Sequence, residues 1–585
     1  MTYKIQQSKT RFRKICSSVI ATMLLSSFVS LPVTTAAASA DEAMANVYSY
    51  GFVDLEGAKP SAVIIEYDRE IAADSVSAAA YAVTNYVIRQ EEAFGYQETI
   101  EQDYDDTPGN EGRIIGVYVN DKPEISATGG TIRGKYVILE LNTAYMMSGQ
   151  NLPYTTSMMA GVKQIKDVRY ADGTSIAAGS KEMANYRISE EQGIYGGKTK
   201  TRTVIDTDTS KILLPEFGAE SGWKQHFIGK NAFFAKHCYS EYTGKYEDFE
   251  LPYSIYVPPR EILMSHKGKI PLVLHMEHAG GNDIDPMSAV TSSRAAVKLA
   301  NPAWQKEHPA IILVPQIEES RRSTDDFMAS SEANTAVWEL VDNVMETYRD
   351  YIDENRIYGT GQSMGGMTIL NMAAQRDNFF AGIAVVGAQW GNNYNKEHQH
   401  NGAPARTPEN DPVSFSGFGL DRENYRNWYY MVSDDNILVQ TCSGDPLATG
   451  LWSDFAAYYA AANLEIPHAE WDPYLPTAEQ ETLGKSILSK NDTTPGTGIH
   501  WASFTRGSHM STWKYGYRLD YPLQWLFAQT IESEKRRGKI SQLKNPWLGR
   551  DEAGHIKAGS GTANLNSAQY TPHGASETYT EDWKP

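Results

Sequence analysis

The sequence predicts an α/β fold, a mostly parallel central sheet covered by helices, preceded by a separate β-sandwich. Three observations lead there. From residue 271 onward, short apolar runs alternate with helix-length segments. Residues 41–189 instead carry short strand-like runs between polar turns, with no helical period. At 585 residues the chain is also too long for one hydrophobic core. Strands buried on both faces read as continuous apolar runs, whereas a sandwich reads as short strands broken by turns.

The first forty residues stand apart from this fold. Lys4, Lys9, Arg11, Arg13 and Lys14 open the chain, an apolar run follows over 15–33, and Ala38-Ser39-Ala40 closes it as a small-x-small cleavage site. That is the layout of a secretory leader, so residues 1–40 are expected to be removed and the protein to be extracellular. The apolar run is short, carries serines and is interrupted by Pro32, and no later stretch reaches the ~20 apolar residues that span a bilayer. No stable membrane insertion is expected after cleavage. Five of the 53 basic residues and none of the 72 acidic ones lie in the leader, so its loss takes the net charge from −19 to −24. Such an acidic surface argues against nucleic acid and anionic membranes as partners.

In the β-rich segment, 61–67, 113–119 and 135–141 read as strands. Asn120-Asp121-Lys122-Pro123 and Gly129-Gly130 supply turns. No cluster of catalytic residue types lies there, so a packing or substrate-positioning role is expected. The following domain is placed at 190–545. Its strands are read at 271–276, 310–315, 356–360, 381–386 and 428–432. Helices are read over 332–351 and 363–374, with 521–527 as the last. Two stretches, 391–427 and 476–508, are rich in Gly, Pro, Asn and Thr and read as long loops that wall a pocket. Residues 546–585 read as a polar tail.

The strongest motif is Gly361-Gln362-Ser363-Met364-Gly365 between a strand and a helix. A serine held there turns sharply out of the sheet at a helix N-terminus, where negative charge is favoured, and the two glycines let strand and helix approach closely. A serine hydroxyl needs a base, and the base needs an acid. His509, just before the last helix, is the expected base. His500 is the lesser candidate. The acid is expected after the strand at 428–432, where Asp435 is the first choice and Asp434 the alternative. The backbone N–H of Met364 supplies one oxyanion donor. The second is assigned to the loop Glu277-His278-Ala279-Gly280, at Ala279 or Gly280.

Other signals are weaker. After leader removal only Cys238 and Cys442 remain, either as one disulfide or as two buried thiols. There is no CxxC, and His398-Gln399-His400 lies in a polar loop without fixed partners, so no metal or cofactor is expected.

Together, residues 251–258, the strand and loop over 272–281, Asp353 to Gly366 and Gly507 to Trp513 resemble the α/β-hydrolases. They are most similar to secreted esterases of the predicted-peptidase and polyhydroxybutyrate-depolymerase-like branch. Some members carry an N-terminal immunoglobulin-like domain, which residues 41–189 resemble. One departure is visible: members usually show His-Gly-x-Gly where this chain has Glu277-His278-Ala279-Gly280. The resemblance implies hydrolysis of a small-molecule or polymeric carboxylic ester. A serine peptidase with the same triad and a non-catalytic polymer-binding protein remain open at this stage.

Overall fold

The computed structural model describes residues 38–54, 57–90, 98–103, 114–141, 158–195, 198–215, 223–226, 233–240, 245–278, 288–291, 293–316, 331–388, 430, 432–445, 448, 451–452, 455–456, 459–460, 462–489, 498–507, 509–533 and 538–543. The larger domain is built on a nine-stranded sheet. Its strands are β1 (Trp223–His226), β2 (Tyr253–Tyr256), β3 (Ile270–Met276), β4 (Ile311–Pro315), β5 (Ile352–Gln362), β6 (Gly382–Val386), β7 (Ile437–Cys442), β8 (His468–Trp471) and β9 (Ile499–Phe504). They lie in the order β1-β2-β4-β3-β5-β6-β7-β9-β8. The pairings of β1 with β2 and of β2 with β4 are antiparallel and all others are parallel.

Side-chain alternation explains why helices cover both faces. Leu272, Leu274, Ile311, Leu313, Ile383 and Val385 pack on one side with Val337 and Leu340 of a helix at Ser331–Thr347 and Met367 and Leu370 of a helix at Met364–Gln375. Val273, Ile312, Val314 and Ala384 point the other way, against Val297 and Leu526. Because successive residues of a strand face opposite sides, an all-apolar strand requires an apolar layer on each. In chain order, six helices that pack around the sheet are α1 (Arg294–Ala300), α2 (Ser331–Thr347), α3 (Met364–Gln375), α4 (Thr477–Ser489), α5 (His509–Arg518) and α6 (Tyr521–Phe527).

The N-terminal domain is built mainly on two antiparallel-rich sheets, with a small three-stranded sheet of Ala38–Ser39, Ser175–Ala177 and Val168–Arg169 beside them in sequence. One orders Ile212–Leu213, Met44–Asp54, Gly57–Ala72, Arg133–Leu141 and Ile114–Asn120. The other orders Met183–Ala184, Gly161–Gln164, Tyr81–Gln90 and Glu98–Asp103. Val63, Ile65 and Tyr67 of the first sheet share a core with Tyr81, Val83 and Val162 of the second. Within that core the Tyr67 hydroxyl donates to Gln164 Oε1 at 2.8 Å, which satisfies a buried polar group. Val53, Ala58, Ile212 and Leu214 join the same apolar cluster as Tyr256, Val297 and Ile312, so the two domains share one core.

The structure departs from the sequence expectation in four places. Residue 189 falls inside the strand Tyr186–Tyr195, which pairs with Lys198–Thr207, so the expected border cuts a hairpin. Ala38 and Ser39, assigned to the leader, pair with Ile176 and Ala177, and Ala40 is fully buried. Residues 428, 429 and 431 of the strand expected at 428–432 lie outside the described residues, residues 432–436 form a turn, and the strand paired with β6 is β7. Finally, the stretch 476–508 holds α4 and β9. α4 buries Gln480, Gly484 and Ile487 and packs Leu483 and Leu488 partly against the same core, a short apolar stripe interrupted by polar residues and a glycine. Residues 391–427 and 546–585 lie outside the described residues.

Candidate active site

The site is assembled at the carboxyl ends of the parallel strands. β5 ends at Gln362 and α3 begins at Met364, leaving Ser363 alone to make the turn, at φ 52° and ψ −122°. A non-glycine residue in that region stores roughly 1–3 kcal/mol of strain, so its neighbours must hold it. Ser363 N–H donates to Val386 O at 2.9 Å, and Met367 N–H donates to Ser363 O at 3.0 Å. A Cβ on Gly361 would lie 2.6 Å from Gly365 C and 2.7 Å from Met276 O. One on Gly365 would collide with Met276 O. Both glycines are therefore required by the close crossing of β3, β5 and α3.

His509 is the first residue of α5. Its Nε2 lies 2.8 Å from Ser363 Oγ and its Nδ1 2.5 Å from Asp445 Oδ2. An ionised carboxylate only accepts, so the proton sits on Nδ1 and Nε2 is left to accept the serine hydroxyl. The Asp445 side chain is 1% exposed and that of His509 24%. Ala448 N–H donates to Asp445 Oδ1 at 3.2 Å, which orients the carboxylate with its other oxygen on the imidazole. Gly387 (φ 60°) follows β6. A Cβ there would meet Trp513 Nε1 at 3.2 Å and His509 Cε1 at 3.3 Å.

The carboxylate beside His509 is thus Asp445, not Asp435 or Asp434. Asp435 precedes β7 and Asp445 follows it, and Ser363 lies at the carboxyl ends of the strands. A six-residue strand at about 3.3 Å per residue separates the two aspartates by roughly 20 Å. Asp435 N–H donates to Val432 O within the turn, and Asp434 Oδ1 takes an ion pair from Lys539 Nζ at 2.8 Å. Asp445 directly follows β7, the strand paired with β6. The overlooked signal was Ile437 to Cys442 followed directly by the turn Ser443-Gly444-Asp445.

Met364 N–H belongs to the first turn of α3, whose amides lack helical partners. Ala279 and Gly280 lie outside the described residues, as do His398 and His400. His500 sits buried in β9, edge-to-face with Trp525 at 5.4 Å. Cys442 is buried at the end of β7, and the side chain of Cys238 is outside the described set. No group of three metal-ligating side chains occurs among the described residues, and none of their helices is long and apolar enough to cross a membrane.

The chain is an α/β-hydrolase with an N-terminal immunoglobulin-like domain. Residues 52–204 match the esterase Ig-like N-terminal domain, and residues 324–416 match the prolyl oligopeptidase family. Among solved structures it is similar to a thermostable esterase at 20% identity, covering 83% of this chain and 99% of that one, with a TM-score of 0.44. It is also similar to an S-formylglutathione hydrolase from Staphylococcus aureus (12% identity, 52% and 99% covered, TM-score 0.29). A ferulic acid esterase aligns at 13% identity, with 52% and 98% covered and a TM-score of 0.31. No curated protein matches the chain.

Proposed function

We propose that the protein is an exported serine hydrolase that cleaves carboxylic esters through an acyl-enzyme, with Ser363 as nucleophile, His509 as base and Asp445 as the acid that orients it. The observation that carries this is the continuous line Ser363 Oγ to His509 Nε2 (2.8 Å) and His509 Nδ1 to Asp445 Oδ2 (2.5 Å). Ser363 Oγ attacks the ester carbonyl as His509 Nε2 takes its proton. The resulting imidazolium faces the buried Asp445 carboxylate, which stabilises it. Met364 N–H stabilises the oxyanion, with Ala279 assigned as the second donor. His509 returns the proton to the departing alcohol. Water, deprotonated by the same imidazole, then releases the acid and frees Ser363.

The expected substrate is a small-molecule or polymeric ester. The match of residues 324–416 to the prolyl oligopeptidase family favours a second reading, cleavage of a peptide bond by the same residues. A short acyl ester compared with the amide of the same acid decides between them. Ester turnover that disappears in Ser363→Ala, with the amide untouched, supports the esterase; faster amide cleavage contradicts it.

Export is inferred from the basic start, the apolar run and the small residues that end it. The pairing of Ala38–Ser39 with Ile176–Ala177 argues for a cut before Ala38 rather than after Ala40.

A further inference from the structure

Immediately past β3 lies a buried carboxylate that the triad does not use. Glu277 is 2% exposed. Its Oε1 accepts from Gln362 Nε2 at 2.5 Å and from His278 N–H at 3.0 Å. Its Oε2 lies 3.4 Å from His275 Nε2. Gln362 is the residue before Ser363. On the other side, the His278 ring stacks on Trp513 with centroids 4.5 Å apart and planes 21° apart, and Trp513 meets His509 edge-to-face at 5.5 Å. His509, Trp513 and Tyr517 are spaced four residues apart on α5 and so share one face of it. The buried Tyr517 hydroxyl has no hydrogen-bond partner among the described residues. Burial, and after it the nearby Glu277 charge, hold its phenol well above the usual value. One carboxylate therefore touches the strand end that carries the nucleophile and, through two stacked rings, braces the helix that carries the base.

We propose that Glu277 is a positioning residue that keeps the Ser363 strand end and the His509 helix in register through Gln362 on one side and His278 and Trp513 on the other. This rests on the reading of Ser363 and His509 as nucleophile and base. Burying a carboxylate is expensive, and an apolar side chain of similar volume would fill the space at lower cost. The acceptor is retained for what it fixes: two donors from two different segments converge on one oxygen, which sets their separation.

The test is the second-order rate of fluorophosphonate labelling of the full chain, together with kcat and KM on an ester, at a temperature where every variant is folded by near-UV circular dichroism. Glu277→Leu is expected to slow labelling and lower kcat about 100-fold with KM little changed. Glu277→Gln keeps an Oε1 acceptor for Gln362 and His278 and is expected to recover to within about tenfold of the parent. Gln362→Leu slows labelling by itself and adds nothing on the Glu277→Leu background. A role in stability alone shifts Tm and leaves labelling of the folded variants at the parental rate, which overturns the proposal. So does a Gln variant no better than Leu. If Glu277→Leu fails to fold, Gln362→Leu decides, and a parental rate there overturns the proposal. A parent that does not label at all removes the nucleophile assignment itself, an outcome distinct from a labelled parent with unaffected variants.

Discussion

Replacing Asp445 by Asn isolates the part of the site that local sequence hid. The substitution keeps the shape and the contact with Ala448 N–H but removes a charge that is 1% exposed and 2.5 Å from His509 Nδ1. With the charge centres about 4 Å apart and an effective dielectric near 20, the lost attraction to the imidazolium is about 4 kcal/mol. At about 1.4 kcal/mol per decade this alone is roughly a thousandfold in rate. An Asn that turns its NH2 toward Nδ1 also forces the proton onto Nε2, where it blocks acceptance from Ser363, so the total loss is on the order of 10³–10⁴ in kcat. The assay is steady-state hydrolysis of an activated ester, with Tm measured in parallel and Asp435→Asn as the comparison. Asp435→Asn is expected to turn over at the parent's rate per folded molecule. Near-parental turnover by Asp445→Asn, with the large loss appearing in Asp435→Asn, would refute the assignment.

Further outcomes follow from the packing and titration around the same site. Gly365→Ala drives a Cβ into Met276 O, a backbone atom that cannot yield. A loss of at least about 1–3 kcal/mol in stability together with loss of turnover is expected, and a parental Tm would contradict the close crossing. Burial holds the His278 imidazole down to about 4. The unfolded chain takes up that proton below pH ~6.5 while the folded one stays neutral, so stability falls as pH drops through this window, by about 3 kcal/mol at its end. His278→Phe keeps a ring on Trp513 and cannot titrate, so its denaturant midpoint should fall less than the parent's between pH 7 and 4; parallel curves would count against it.

How far the sequence reached depended on how local each signal was. Ser363 and His509 were legible because each sits in a short segment whose context is fixed by neighbours: a strand and helix for one, the start of a helix for the other. The parallel sheet was legible because β3, β4 and β6 are apolar on both faces. Asp445 was not, because its position depends on where β7 begins. In sequence, Trp428 to Val432 reads as a strand as well as Ile437 to Cys442 does, and it is the pairing of Ile383 with Ile437 and of Val386 with Gln440 that puts the latter in the sheet beside β6. The partners of Glu277 were equally hidden. Gln362 lies 85 residues from Glu277, and Trp513 lies 235 residues from the His278 ring it stacks on, and only the folded sheet and α5 bring them together.

The central claim, that folding turns Ser363 into an activated nucleophile, is tested most directly by fluorophosphonate labelling of the folded chain, read by intact mass and by the modified peptide. One adduct on Ser363 is expected, absent from Ser363→Ala and slowed at least a thousandfold in His509→Ala. An unlabelled parent, or an adduct that persists in Ser363→Ala, would contradict it.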